Sequence, residues 1–258
     1  MELQDKIVVI TGAGSGIGRA LAVRFHAEGA KQIVCADINL ANAQETADMI
    51  GGVAMMADVA KEEDTARIIE DTEANIGPID LFCCNAGVGY GESIHSPNEQ
   101  WQSIWDINVM SHVYAARHLV PRMVERGSGY FLNTSSAAGL LNQIGGAAYG
   151  VTKHAAVGFG EWLAIHHKHE GIGVSMLCPQ AVRTAMTAVE NDAVAAAANN
   201  GMIEPEELAE TVIEGLRDES FLILPHPIVK EYMQNKTNNY DRWIGGMNKL
   251  MRKITGTI

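Results

Sequence analysis

Tyr149 and Lys153 stand four residues apart in the run Tyr149-Gly-Val-Thr-Lys153. On a helix that spacing puts a phenol and an ammonium on one face, one turn apart. A free phenol loses its proton only near a pH of about 10, too high for a base at neutrality. A neighbouring positive charge favours the phenolate, so the pair suits proton transfer to or from an alcohol oxygen. A half-buried core tyrosine beside a solvated lysine has the same spacing, so the pair gains meaning only from its company. A second group lies near the N-terminus: Thr11-Gly12-Ala-Gly14-Ser15-Gly16-Ile17-Gly18. Glycines let the chain turn sharply and let phosphates approach the backbone. A helix starting near Ile17 would offer free N–H groups to a pyrophosphate. The strict G-x-G-x-x-G fingerprint fails, because Ile17 occupies its last glycine position. Asp37 follows 19 residues after Gly18. Its carboxylate can accept bonds from the hydroxyls of an adenosine ribose and would repel a phosphate there. It can equally cap the helix that follows. No Arg or Lys stands in the glycine turn or directly after Asp37, where Ile38, Asn39 and Leu40 come next.

These residues need a scaffold, and the apolar pattern supplies one. Short runs at 6–11, 32–37, 53–59, 79–84, 130–135, 174–178 and 221–224 are continuously apolar rather than alternating, as strands buried on both faces must be. Helical patterns lie between them, at 17–28 closed by Gly29 and at 64–75 ended by Gly77-Pro78. The expectation is an α/β chain: a single Rossmann-like domain over 1–258, with a parallel seven-stranded sheet and helices on both faces.

The composition narrows the partners. The chain has 258 residues, 47% hydrophobic and 19% charged, with a formal net charge of -12. An acidic surface repels phosphate polymers, so no nucleic acid partner is expected. No apolar run reaches bilayer-spanning length and no basic, apolar leader opens the chain, so a cytoplasmic protein without membrane contact is expected. Cys35, Cys83, Cys84 and Cys178 sit in or beside apolar runs and read as buried free thiols. His166, His167 and His169 crowd one helix end without a ligand frame, so no metal is expected.

Further motifs fall in order along these elements. Asp58-Val59 follows the third run, Asn85-Ala86-Gly87 the fourth, Asn108 lies in the next helix, and Ser136 precedes Tyr149 by 13 positions. Together with the glycine turn and Tyr149-x-x-x-Lys153, these residues resemble the short-chain dehydrogenase/reductase superfamily over residues 3 to 225. The resemblance implies an NAD-dependent oxidoreductase that interconverts a secondary alcohol and its ketone. Asn108, Ser136, Tyr149 and Lys153 would be catalytic. Tyr149 would act as general acid/base, Ser136 would orient the substrate oxygen, Lys153 would also bind the nicotinamide ribose, and Asn108 would hold a relay water. NAD would lie against Gly12, Ser15, Gly16, Ile17, Gly18, Asp37, Ile38, Asp58, Val59, Asn85, Ala86, Gly87, Tyr149, Lys153, Pro179, Val182 and Thr184. The family's usual P-G after the sixth strand is replaced here by Pro179-Gln180, so Gln180 is expected to enter the substrate pocket.

The same resemblance places the substrate between three variable loops, 88–95, 137–148 and 180–202. Leu140, Leu141, Ile144, Met186 and Val189 make that region mainly apolar, with Gln143 and Gln180 as polar probes. Gln143, Ile144, Gln180 and Met186 are the candidate substrate contacts, and a hydrophobic alcohol or ketone the expected substrate. Arg183, the one candidate for a substrate carboxylate, reads at least as well as a surface ion pair. The Ala-rich 185–203 segment would serve as a lid. The 226–258 extension, partly amphipathic through Tyr232, Trp243, Met247, Leu250 and Met251, would cover the pocket or a neighbouring subunit. The family suggests a homo-oligomer, tetramer or dimer, built on the helices near 101–124 and 149–167. Two other readings share the motifs: a non-catalytic NAD-binding regulator, and an NAD-using epimerase or lyase.

Overall fold

Val8 and Val9 point to opposite sides of one strand, and both are fully buried. That strand needs apolar cover on two faces, which is why the runs do not alternate. The computed structural model describes residues 1–257 except Glu92 and Glu190. Glu92 of the 88–95 loop, Glu190 of the 185–203 segment and Ile258 of the 226–258 extension lie outside the described residues.

The strands are β1 (Ile7–Thr11), β2 (Gln32–Asp37), β3 (Val53–Met56), β4 (Leu81–Cys84), β5 (Gly129–Thr134), β6 (Ile172–Leu177) and β7 (Leu222–Ile223). They form one seven-stranded sheet in the order β3-β2-β1-β4-β5-β6-β7, parallel throughout. Helices α1 (Gly16–Ala27), α2 (Leu40–Ile50) and α3 (Glu62–Asn75) connect the first half. The second half carries α4 (Asn98–Trp105), α5 (Ser111–Arg126), α6 (Ala138–Leu141), α7 (Ala147–His167), α8 (Asp192–Ala197), α9 (Pro205–Arg217), α10 (Ile228–Asn238) and α11 (Tyr240–Ile254). Val8, Ile10, Cys35 and Leu132 pack under α1, α2 and α9, through Leu21, Phe25, Ala47 and Val212. Val9, Val34, Phe82 and Phe131 pack under α3, α5 and α7, through Ile68, Ile69, Leu119 and Leu163. The expected helices on both faces are present, each fed by alternate residues of the same strands.

Several expected boundaries move, for local reasons. The third run yields a strand only to Met56, because the Ala57 N–H donates to the Asp37 carbonyl (2.9 Å) and the chain then turns. The Asp58 N–H donates to Asp64 Oδ2 (2.9 Å) and its own carboxylate accepts from the Ala60 N–H (3.1 Å), so α3 starts at Glu62 rather than Asp64. Its first turn holds Glu62, Glu63 and Asp64, the charges that suit a helix N-terminus. The seventh strand shrinks to two residues. Part of the expected 137–148 loop is the short helix α6.

β1 feeds α1 on one face, while β4 beside it leads toward α4 and α5 on the other. Open parallel sheets form a crevice at such a switch point. Thr11, at the end of β1, fastens its two sides. Its hydroxyl donates to the Cys83 carbonyl (3.2 Å) and accepts from the Asn85 N–H (3.0 Å) and the Ala86 N–H (3.1 Å). Replacing Thr11 by the isosteric Val leaves the Ala86 amide without its acceptor and the Asn85 amide with the Cys83 carbonyl alone (3.0 Å). We expect Thr11→Val to lose about 2 kcal/mol and to lower Tm by roughly 4–8 °C in a thermal melt. An unchanged Tm would show that water replaces this clasp.

Candidate active site

The crevice opens into a cavity of about 1120 Å³ that runs from the glycine turn to α11. At one end the backbone itself forms the wall. Gly12 has a positive φ of 66°, and a Cβ there would meet Ala86 Cα at 2.9 Å. A Cβ on Gly18 would collide with the Gly12 carbonyl, so only glycine lets α1 start this close to β1. The N-terminus of α1 faces the cavity through Ser15, Gly16, Ile17 and Gly18. These features leave a side-chain-free cradle at a helix N-terminus, which fits a pyrophosphate. Asp37 and Ile38 line the same end, followed by Asp58 and Val59. The Asp37 carboxylate accepts from the Gly14 N–H (2.9 Å) and the Asn39 N–H (2.9 Å). It does not cap α2, whose N-cap is Asn39, accepting from Ala41 and Asn42.

Further in, Asn85 spans the crevice. Its amide nitrogen donates to the Thr11 carbonyl (3.0 Å), and its oxygen accepts from the Thr134 hydroxyl (3.2 Å). Ala86 and Gly87 follow on the wall, as do Pro179, Val182 and Thr184 opposite. Thr184 and Thr187 cap one another, and the Thr187 hydroxyl donates to the Val182 carbonyl (2.7 Å). The expected cofactor residues thus share one wall system.

At the centre stand Ser136, Tyr149 and Lys153. The two adjacent serines part company here. Ser135 donates to the Lys153 carbonyl (2.9 Å) and ties β5 to α7. Ser136 donates to the Pro179 carbonyl (3.3 Å), accepts from the Ala138 N–H (3.1 Å) and lies beside the Tyr149 hydroxyl. Lys153 Nζ donates to the Thr134 carbonyl (3.1 Å) and lies 5.7 Å from the centroid of the Tyr149 ring. Lys153 is 3% exposed, and burial pushes its pKa down to about 8. The phenol does not behave as the spacing suggested: burial raises Tyr149 above its ordinary value, against the opposing hydrogen bond of Ser136. Desolvation outweighs that hydrogen bond.

Asn108 lies apart from the cavity wall. It is fully buried in a single π-helical turn, Asp106–Met110, between α4 and α5. Its amide clasps the Val88 backbone from both sides, donating to the carbonyl (2.9 Å) and accepting from the N–H (2.9 Å), and it also donates to Thr152 (3.3 Å). Its side chain therefore holds the loop after β4. A Cβ on Gly87 would stand 3.2 Å from Asn108 Oδ1 and 3.3 Å from Lys153 Nζ, so the three converge. His112, one turn beyond Asn108, was not singled out by sequence. Burial, aided by the Lys153 charge, pushes its pKa down to about 4, so it is neutral beside the ammonium.

The expected substrate residues all reach the cavity, but two spend polar groups on the protein. Gln143 donates to the Ala193 carbonyl (2.8 Å), and Gln180 accepts from Asn200 (3.4 Å), which accepts from the Tyr232 hydroxyl (3.3 Å). Met186 Sδ lies against Gly89, near the Tyr149 ring. Arg183 pairs with Glu204 at 2.7 Å on the surface. Trp243, Met247 and Leu250 of α11 line the cavity, so the amphipathic tail covers the pocket. Asn200 and Arg242 were missed; nothing in a lone Asn or an exposed Arg signals a wall position. The histidines at the end of α7 are local: His166 stacks on Trp162 at 4.2 Å and His167 meets Glu170.

Residues 6–195 match the family model for short chain dehydrogenases. The chain belongs to the short-chain dehydrogenase family. An uncharacterized oxidoreductase of Staphylococcus aureus is 32% identical over 218 residues, covering 83% of this chain and 92% of that protein. The 1-deoxy-11-beta-hydroxypentalenate dehydrogenase of Streptomyces exfoliatus is 33% identical over 232 residues, 86% of this chain and 84% of that one. A short chain dehydrogenase/reductase of Burkholderia phymatum, solved in complex with NAD, superposes with a TM-score of 0.85 at 26% identity, covering 93% of this chain and 96% of that one. This short-chain dehydrogenase is an oxidoreductase. Among the described residues no helix is long and apolar enough to cross a membrane.

The buried ammonium has a thermodynamic consequence. A lysine whose folded pKa falls from 10.5 to about 8 penalises the folded state while it is charged in both states, below pH 8. The penalty fades as pH rises from 8 to 10.5. We expect Lys153→Met to raise Tm at pH 7 by a few degrees, about 1–2 kcal/mol, and the gain to shrink in melts at pH 9–10. A lower Tm at pH 7 would mean that the bond to Thr134 outweighs the burial of charge.

Proposed function

We propose that this short-chain dehydrogenase interconverts a hydrophobic secondary alcohol and its ketone with NAD. The observation that carries the reading is the junction of Tyr149, Ser136 and Lys153 where the glycine cradle meets a mainly apolar chamber. Bound NAD supplies the acceptor or donor of hydride. The protein's part is to hold the oxygen and move its proton. Ser136 donates a hydrogen bond to the substrate oxygen and turns the carbinol carbon toward the cofactor. Tyr149 takes the alcohol proton during oxidation and returns it during reduction. The Lys153 ammonium, charged below a pH of about 8, stabilises the phenolate whose formation burial opposes. Lys153 also holds the nicotinamide ribose. Asn108 acts by fixing the Val88 loop over this group, and its turn is the place for the relay water.

Asp37 supports NAD over NADP. Its carboxylate lies at the cavity wall, where it would accept from the adenosine ribose, and it makes no ion pair among the described residues; Arg19, close by, is spent on the Gly14 carbonyl (2.6 Å) and Glu45. Segment 185–203 serves as the lid: the bridge between Val182 and Ile203 closes its base and leaves its middle as the cavity wall. Exposed Val151, Trp162 and Ile165 along α7 suit a homo-oligomer.

Absorbance assays with NAD and NADP across alicyclic, aromatic and steroid-like secondary alcohols test the reading. We expect turnover with NAD and little with NADP; preference for NADP would break the Asp37 argument while leaving the dehydrogenase. Asp37→Ala should narrow the difference by at least tenfold in kcat/KM, since it removes a repulsion worth about 1.4 kcal/mol or more. Tyr149→Phe should bind NAD like the parent yet lose roughly 10²–10⁴-fold in turnover. Wild-type activity in that variant would remove Tyr149 as the base.

A further inference from the structure

The α10–α11 junction places an arginine on the cavity wall, in a chain of ten arginines of which only Arg242 and Arg252 lack a carboxylate partner among the described residues, and Arg252 Nε donates to the Thr257 carbonyl (3.4 Å) at the far end of α11. Arg19, Arg24, Arg67, Arg117, Arg122, Arg126, Arg183 and Arg217 each lie within salt-bridge distance of a carboxylate. Against a net charge of -12, such pairing is easily found. Arg242 lines the cavity and has no carboxylate partner among the described residues. Its backbone N–H is used, donating to Asn239 Oδ1 (2.9 Å), which fixes the start of α11. Asn235, Asn238 and Asn239 line the cavity beside it.

An apolar path joins this polar end to the reacting end. Ala137, next to Ser136, clusters with Leu141, Tyr232 and Trp243, and Trp243 adjoins Arg242 in the chain. The Tyr232 and Trp243 rings lie 6.2 Å apart. A molecule with its oxygen at Tyr149 and its far end at Arg242 would run along these apolar side chains through its middle. Among the described residues Arg242 carries the one guanidinium that lines this end. Lys236 spends its ammonium on the Leu140 carbonyl (2.6 Å). One free cation among amides matches a monoanion rather than a phosphate dianion, and a planar fork matches a carboxylate.

We propose that Arg242 and the neighbouring asparagines form a carboxylate subsite, so that the substrate is an apolar hydroxy or keto acid whose carboxylate lies far from the reacting carbon. The proposal rests on the alcohol–ketone reading for the identity of the reacting group, but not for the anion site itself.

Decanoate and its N-methylamide serve as probes, because neither carries a carbinol to oxidise. Isothermal titration of the full chain with each should show decanoate binding roughly tenfold tighter or more, the worth of a charge-assisted hydrogen bond. Arg242→Met should erase the difference and Arg242→Lys should keep part of it. Lys253→Met, which removes a charge from the same helix away from the cavity wall, should leave the difference intact. Equal affinities in the wild type, no binding of either probe, or a preference that survives Arg242→Met would overturn the subsite. The outcome is independent of whether Tyr149→Phe abolishes turnover, so failure of the anion site and failure of the dehydrogenase reading are read separately.

Discussion

At the end of β1 two stretches of backbone approach more closely than any side chain would allow. The Gly12 carbonyl occupies the space where a Cβ of Gly18 would be, and Ala86 takes the space beside Gly12. This contact fixes the start of α1 against the sheet and the loop after β4 against β1. Thr11 and Asn85 lock it with hydrogen bonds on both sides. The rest of the site hangs from that lock. The loop after β4 continues into Val88, which Asn108 grips through both ends of its amide. Asn108 touches Thr152, one residue before Lys153, and Lys153 reaches back to Thr134 beside Asn85. The path closes on itself, so cradle and proton-transfer group are positioned by one continuous hydrogen-bonded ring.

The ring encloses a charge at the cost of stability. Burial pushes the Lys153 ammonium down and the Tyr149 phenol up, moving both away from the ion pair that proton transfer uses. His112 stays neutral beside them, because a second positive charge in the same volume would be costly. The site is thus held in a form in which the proton sits on tyrosine and the ammonium is only moderately favoured. A buried ammonium of this kind acts more strongly on a nearby negative charge than one in water. The expense of folding around it and its effect on a forming phenolate have the same origin.

Much of this was legible in the sequence. Continuous apolar runs named the strands, since a residue such as Val9 or Phe82 has no solvent face to reveal. The glycine spacing named the cradle, because backbone contact excludes side chains. Spacing chose Ser136 over Ser135; in the structure Ser135 donates to the Lys153 carbonyl, while Ser136 lies beside the Tyr149 hydroxyl. What spacing could not supply was desolvation. Four residues on a helix set a distance between Tyr149 and Lys153, but the sign of the phenol's shift depends on what covers it. Nor could it reveal that the Asn108 amide is spent on the Val88 backbone and Thr152, because the π turn that carries it has no signature in residue type. The amphipathic tail was visible through Trp243, Met247 and Leu250, whereas the choice between the pocket and a neighbouring subunit as its target was not. A period of 3.6 says that a face is covered without saying by what.

The family match ends at residue 195, and α9, α10 and α11 lie beyond it. A hydride and a proton move over fractions of an ångström, so the groups that handle them tolerate little variation and sit on strands and a long helix. The far end of a substrate meets no such demand. It must only be surrounded, and an amphipathic helix laid across the cavity mouth does this with few fixed contacts. α11 has no fully buried residue and meets α8 and α10, themselves elements of the cavity wall. Its apolar face is kept in place by the cavity it covers. Substitutions there can change what the chamber holds without disturbing the ring at the end of β1, so this wall is where chains sharing one chemistry can diverge in what they act upon.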